Sequence, residues 1–139
     1  MEINILSFSI LLLVLSVRAA NITNTSNVPI SYFTPYYNVK FAVTTLNNSW
    51  ARLDAEVPEN SFLALLFSNR ANFGNQIVDL VQFNAYTSTG QIEVLDMYTD
   101  GTRPPRKDST NNYVNTTVVI NSNQTVSFTT YRPLNTGDP

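Results

Sequence analysis

The sequence predicts an all-β protein, an immunoglobulin-like β-sandwich of about seven to eight strands that follows an N-terminal signal peptide. Three observations predict it. Short runs of strand-forming residues are separated by turn residues at regular intervals. Several runs alternate apolar and polar positions, and no segment shows sustained helical periodicity. A lipocalin-type barrel is the alternative architecture.

The N-terminus predicts a secretory signal peptide over residues 1–19. Its apolar run, Ile5–Val17, is about 13 residues long, shorter than the roughly 18 to 20 that span a bilayer. Val17 and Ala19 are the small residues expected before a cleavage point. Since the first residues carry Glu2 and no basic side chain, an uncleaved anchor remains the alternative. We expect a secreted or extracellular protein, or a membrane-anchored one if residues 5–17 stay attached.

Residues 20–31 form a predicted polar leader, and residues 32–139 a single predicted domain. The first predicted strands are 38–46 and 50–57, and in the second Arg52, Asp54 and Glu56 share the polar face. The run 62–67 is continuously apolar, which is typical of a strand buried on both faces. Strands 77–86 and 92–98 form a predicted hairpin with Gly90 in its turn. Strands 112–120 and 125–131 form a second one.

Composition excludes several functions. The chain has no histidine and no cysteine, so Ser-His-Asp and Cys-His catalysis and histidine metal sites are excluded. A net charge of −2 with scattered cations makes nucleic acid an unsuitable partner. Carboxylate chemistry or a binding role remains. Five N-x-S/T sequons predict surface glycosylation of a secreted protein at Asn21, Asn24, Asn47, Asn115 and Asn123.

The acidic residues suggest two kinds of role. Asp96, Asp100 and Asp108 could supply oxygens to a calcium ion, but their spacing matches no established calcium loop. Turn formation by Asp side chains that bond their own backbone explains the same pattern, and no metal site is predicted. Asp79 lies in an apolar strand, so it should face solvent, a strand edge or a cation such as Arg132.

An ordered set of residues resembles the extracellular DOMON family, whose members bind haem or sugars in a β-sandwich. The set comprises Trp50 before a strand, the apolar run 62–67, Asp79, Asp96-x-Tyr98, Pro105 with Asp108, and Arg132-x-Leu134-x-Thr136-Gly137-Asp138. It covers about residues 32–138. The chain ends where a sandwich usually continues, so a truncated domain is one interpretation.

The resemblance implies a non-catalytic module that binds a sugar or another small ligand. The candidate ligand-binding residues are Trp50, Asp79, Asp96, Met97, Tyr98 and Arg132. Trp50 is interpreted first as a core anchor and second as a platform for sugar stacking. A degenerate extracellular interaction domain is another alternative.

The resemblance also implies haem b as a possible cofactor and a membrane redox partner, in an electron-transfer domain. Haem-binding DOMON members use a methionine and a histidine as axial ligands. Here Asn75 stands at the methionine position and histidine is absent, so Met/His ligation is excluded for this chain. Tyrosine ligation is one remaining route. The other is a histidine beyond the present C-terminus, if the chain is an incomplete gene product.

Overall fold

The computed structural model describes residues 12–16, 30–34, 38–47, 49–68, 77–100 and 102–137. All regular structure in these residues is β, which confirms the predicted fold class. The ten strands are β1 (Leu12–Ser16), β2 (Ile30–Thr34), β3 (Val39–Thr45), β4 (Trp50–Pro58), β5 (Phe62–Ser68), β6 (Val78–Tyr86), β7 (Gln91–Thr99), β8 (Arg106–Lys107), β9 (Val114–Ile120) and β10 (Thr125–Pro133).

The strands form two five-stranded sheets. Sheet A has the order β1-β5-β6-β7-β8, and sheet B has the order β2-β3-β4-β10-β9. All neighbours are antiparallel except β1, which runs parallel to β5 over five residue pairs. The inner faces of the two sheets enclose the main core, so the predicted sandwich is confirmed as an architecture.

Seven strands coincide with the predicted ones to within a few residues. The strands β1, β2 and β8 were not predicted from the sequence. β1 lies inside the segment that we predict to be a signal peptide, and β2 begins at Ile30, inside the predicted leader. Cleavage of the N-terminal segment stays a prediction.

Both predicted hairpins form. The β6–β7 hairpin turns at residues 87–90, where Gly90 has φ +76°. An L-residue with a side chain rarely adopts this angle, so the sequence needs glycine at this position. In the β9–β10 hairpin, Asn121 N–H donates to the Thr125 carbonyl at 2.8 Å.

The main core follows from strand alternation. In β4, Ala51, Leu53, Ala55 and Val57 are buried and the residues between them are more exposed, as predicted for a half-buried strand. Phe83 of sheet A and Phe128 of sheet B meet with ring centroids 5.5 Å apart. This contact joins the inner faces of the sheets. The largest fully buried aliphatic residues of this core are Leu53, Val57, Leu63, Val81 and Val126.

The outer face of sheet A carries a second buried cluster. Its members are Ala64, Leu66, Val78 and Leu80. Because Leu63 and Leu65 of β5 face the main core, β5 is buried on both faces. This confirms the interpretation of the apolar run 62–67.

Candidate functional site

An ionic and aromatic cluster lies inside the sandwich and joins β6 to β10. Arg132 of β10 donates through Nη2 to the carboxylate of Asp79 in β6. Through Nη1 it donates to the Tyr113 hydroxyl at 2.9 Å. Its guanidinium carbon lies 4.4 Å from the centroid of the Phe67 ring and 5.3 Å from that of Tyr113. The predicted pairing of Asp79 with Arg132 is confirmed.

Burial determines the protonation states of the cluster. Tyr113 is 5% exposed, and burial raises the pKa of its phenol far above the ordinary value. Burial acts against the charge of Arg132, but the pKa of Arg132 is still raised because Tyr113 and Asp79 both favour its charged form. Arg132 is therefore a permanent cation that pairs with Asp79 across the two sheets.

The cluster is internally satisfied. Within the part of the chain that the structure describes, every buried side-chain nitrogen and oxygen has a hydrogen-bond partner. Arg132 is 6% exposed and also donates through Nε to the Pro133 carbonyl at 3.3 Å. Because its donors are used inside the protein, this arrangement connects the two sheets and is poorly suited to receive a ligand.

Of the three aspartates considered for calcium, Asp100 and Asp108 bond backbone in their own turns, whereas the turn-forming interpretation is wrong for Asp96, which bonds the distant Asn112. Asp100 Oδ1 accepts from Thr102 N–H at 2.9 Å and Arg103 N–H at 3.1 Å. These bonds, chiefly the one from Thr102, lower the pKa of Asp100. Asp108 Oδ1 accepts from Thr110 N–H at 3.1 Å. The predicted turn-forming role of Asp100 and Asp108 is confirmed.

Asp96 lies deeper in the fold, and its Oδ2 accepts from Asn112 N–H at 2.7 Å. It is 3% exposed. This bond ties the segment that leads into β9 to strand β7. Among the residues with described positions, no group of three or more histidine, cysteine, aspartate or glutamate side chains is arranged to hold a metal ion.

Adjacent residues Met97 and Tyr98 belong to opposite faces of sheet A. Tyr98 is paired with Asp79 in the strand register, and Met97 with Leu80. Directly paired residues share a face, so Tyr98 lies on the inner face and Met97 on the outer one. Met97 packs against the outer cluster that contains Leu80. The two side chains cannot line the same pocket within the sandwich.

Trp50 is not a core anchor, and that interpretation is wrong. Its side chain is 37% exposed at the start of β4. The reason is strand alternation: Ala51 and Leu53 point inward, so Trp50 points outward with Arg52. The turn before it is fixed by Asn47, whose Oδ1 accepts from Ser49 N–H at 2.8 Å and from Trp50 N–H at 3.0 Å.

Trp50 belongs to a set of side chains on the outside of sheet B that we call the polar face. The register pairs Trp50 with Pro133, Arg52 with Tyr131 and Asp54 with Thr129. The remaining members pair in the same way along the sheet. The polar face consists of Lys40, Ala42, Thr44, Trp50, Arg52, Asp54, Glu56, Thr117, Val119, Ser127, Thr129, Tyr131 and Pro133.

Two ion pairs organise the polar face. Arg52 donates to Asp54 Oδ1 through Nε at 3.1 Å and Nη2 at 2.8 Å, and Thr129 Oγ1 donates to the same oxygen at 2.7 Å. The hydrogen bond to Asp54 raises the pKa of Arg52. Lys40 Nζ lies 3.1 Å from Glu56 Oε2, and this hydrogen bond is the main cause of the lowered pKa of Glu56.

The six predicted site residues therefore occupy three places. Asp79, Asp96, Tyr98 and Arg132 lie on the inner face at one end of the sandwich, Met97 lies on the outer face of sheet A, and Trp50 lies on the polar face. Sequence reasoning missed Tyr131 as a neighbour of Trp50. The alternation of β10, with Phe128, Thr130 and Arg132 inward, indicates that Tyr131 faces outward, but only the pairing of β10 with β4 places it beside Trp50.

The predicted glycosylation sites differ in their surroundings. Asn47, Asn115 and Asn123 are exposed, and Asn21 and Asn24 lie outside the described residues. Asn123 Nδ2 donates to Glu56 Oε1 at 3.4 Å. Asn47 uses only its oxygen to fix its turn, so its amide nitrogen remains compatible with a glycan.

Across the described segments, no helix is long and apolar enough to span a membrane. Comparison of the chain with protein-family models, with curated proteins and with solved structures finds no match.

Proposed function

We propose that this protein is a secreted, non-catalytic carbohydrate-binding module that binds its ligand on the polar face. The observation that carries the proposal is the exposed indole of Trp50, which is 37% accessible at the edge of a hydrogen-bonding surface. An aromatic ring packs against the apolar C–H face of a sugar ring, and neighbouring polar groups bond its hydroxyls. The polar face supplies both kinds of group.

The strand register supports an extended site. Trp50 and Tyr131 are diagonal neighbours on adjacent strands, because Trp50 is opposite Pro133 and Tyr131 is opposite Arg52. Such diagonal neighbours lie roughly 7–8 Å apart, within reach of long and aromatic side chains. Two aromatic side chains at this spacing suit a chain of more than one sugar unit better than a single small molecule.

The ion pairs support recognition of hydroxyl groups. Arg52 is exposed and bonded to Asp54, and the strand register places it directly opposite Tyr131. Charged donors and acceptors form stronger hydrogen bonds than neutral ones. A sugar hydroxyl could accept a hydrogen bond from Arg52 and donate one to Asp54. Because these two side chains are already paired, binding would order little additional side chain.

A rim beside Trp50 adds apolar surface. Leu46 and Leu134 are 41% and 47% exposed, respectively. Backbone bonds hold both next to Trp50: Leu46 N–H donates to the Trp50 carbonyl at 3.0 Å, and Leu134 N–H donates to the Ser49 carbonyl at 2.8 Å. This rim extends the surface on which the apolar side of a ligand can pack.

We also propose that the module is DOMON-like, that its sandwich has an immunoglobulin-like arrangement, and that the N-terminal segment directs its secretion. The haem alternative has less support. Met97 and Tyr98 face opposite sides of sheet A, and the chain has no histidine. The interior cluster around Arg132 is already saturated with internal partners.

The test uses the fact that Trp50 is the only tryptophan in the chain. Glycan-array binding by the full chain, produced through a eukaryotic secretory pathway, identifies candidate oligosaccharides, and titration with those should change the fluorescence of Trp50. The Ser49→Ala variant is titrated in parallel, because it removes the Asn47 sequon and any glycan next to the proposed site.

Two variants locate the site. Trp50→Ala should abolish binding while leaving the melting temperature close to that of the unsubstituted protein, because the side chain contributes little to the core. Ile77→Ala is the matched control, since Ile77 is 46% exposed and lies outside the polar face. It should bind normally. Absence of any array signal, or equal binding by Trp50→Ala, would overturn the proposal.

A further inference from the structure

Of the four edge strands of the two sheets, β8 and β9 are protected in very different ways. β8 is only two residues long, both of them basic, and follows Pro104 and Pro105. Short length, positive charge and proline are the usual means by which a sheet edge avoids pairing with another molecule. β9, at the edge of sheet B, has none of the three.

Every residue of β9, Val114–Ile120, is exposed and uncharged. The strand sequence VNTTVVI is rich in β-branched residues, which favour extended pairing. The four apolar residues are exposed by 38–58%: Val114, Val118, Val119 and Ile120. Among the described residues β9 pairs only with β10, so its other edge presents backbone groups and apolar side chains together, the combination that promotes edge-to-edge association.

Asn115 is the one unusual position in this strand. It has φ 53°, a left-handed conformation that asparagine tolerates better than most residues. It lies where the β9–β10 register shifts between Thr129 and Tyr131. With Thr116 and Thr117 it forms one of the predicted sequons, and it is exposed.

We propose that an N-linked glycan on Asn115 caps the β9 edge and keeps the protein monomeric. A bulky, hydrated glycan at this bulge blocks the approach of another strand along β9. Without it, β9 pairs with β9 of a second copy. That contact is self-complementary under a two-fold axis and brings no like charges together, because the strand has none.

The proposal rests on the secretory route of the proposed function and not on its ligand. Failure of glycan-array binding would therefore leave it standing, and its own test does not involve carbohydrate binding.

The test begins with site occupancy. The complete sequence is expressed in a eukaryotic host, and peptide mass spectrometry of the secreted protein should find Asn115 glycosylated in most molecules. Light scattering after size-exclusion chromatography should give the mass of one glycosylated chain. An unoccupied Asn115 would overturn the proposal at this step.

The decisive variant is Thr117→Gln, which removes the sequon without changing Asn115 and without adding apolar surface. In concentrated solution, at least half of this variant should form dimers or larger species. Thr117→Ser preserves the sequon and should remain monomeric. Ser49→Ala removes the Asn47 sequon instead and should also remain monomeric, which separates edge capping from the general solubility that any glycan provides.

A second substitution tests the surface involved. Val119→Lys, added to Thr117→Gln, places a charge on the β9 strand and should restore the monomer. A monomeric Thr117→Gln variant would overturn the proposal. Association that persists in the doubly substituted protein would overturn it too, because the contact would then lie away from β9.

Discussion

Replacing Arg132 by methionine should destabilise the fold more than any surface charge change. The substitution leaves the Asp79 carboxylate buried without its cation and removes the bond to Tyr113. Loss of one partner of a buried ion pair costs about 3–5 kcal/mol. A domain of this size has a total free energy of unfolding of about 5–15 kcal/mol. The expected loss is therefore a large fraction of its stability.

The assay is urea unfolding, followed by Trp50 fluorescence and by far-ultraviolet circular dichroism. With a denaturant slope of about 1–3 kcal/mol per molar urea, the unfolding midpoint of Arg132→Met should fall by about 2 M. Arg52→Met is the matched control. Its ion pair with Asp54 is exposed, so it should cost less than about 1 kcal/mol.

A double-mutant cycle separates the ion pair from other effects of the substitution. Asp79→Leu together with Arg132→Met removes both charges, and burial of apolar groups in their place is often neutral or stabilising. The double variant should be more stable than either single one, with a coupling free energy of about 2 kcal/mol. Additive single effects, or an Arg132→Met cost no larger than that of Arg52→Met, would refute the reasoning.

Three further predictions concern stability. Leu53→Ala, at a fully buried position, should cost about 2–5 kcal/mol in urea unfolding, whereas the exposed Ile77→Ala should change stability by less than about 0.5 kcal/mol. Gly90→Ala forces an alanine to φ +76° and should lower stability by about 1–2 kcal/mol, measured by thermal melting. Because the pKa of Glu56 is lowered from 4.5 in the folded state, its stabilising effect is complete above that value and is lost as the pH falls through the lower folded pKa. The melting temperature of Glu56→Gln should therefore be below that of the original chain at pH 7 and should converge with it as the pH falls below the lowered folded pKa of Glu56, and a constant difference would contradict this assignment.

Local sequence patterns predicted the strands because side chains along a strand point alternately inward and outward, and the sequence alternates apolar and polar residues in the same way. Residues 51–57 show inward and outward positions directly, and the continuous run 62–67 indicates a strand between two apolar layers. A cation such as Arg132 was one of the three environments expected for Asp79, because a buried unpaired carboxylate is costly, and the structure shows that partner. These inferences need only short-range periodicity and the cost of burying a charge.

The candidate site was harder to predict because it depends on which strands become neighbours. The six candidate residues were grouped by resemblance, but the register separates Met97 from Tyr98 and places Trp50 on a different sheet. Tyr131 becomes a neighbour of Trp50 only when β10 lies beside β4. Such pairings connect residues about 80 positions apart, and no local pattern specifies them.

The N-terminal segment connects the predicted secretion of the protein to the stability of sheet A. In the full chain, β1 supplies the neighbour of β5 on one side, from Leu12 paired with Ala64 to Ser16 paired with Ser68. Cleavage after Ala19 would remove β1, and the apolar strand β5 would lose its neighbour on that side. Buried apolar strands without a neighbour invite pairing with other chains. An uncleaved chain therefore keeps the β1–β5 pairing, and a processed chain loses it. The amide hydrogen exchange of Leu63–Leu66 should be slow in the uncleaved chain. It should be faster in a chain that begins at Ala20, unless another strand takes the place of β1.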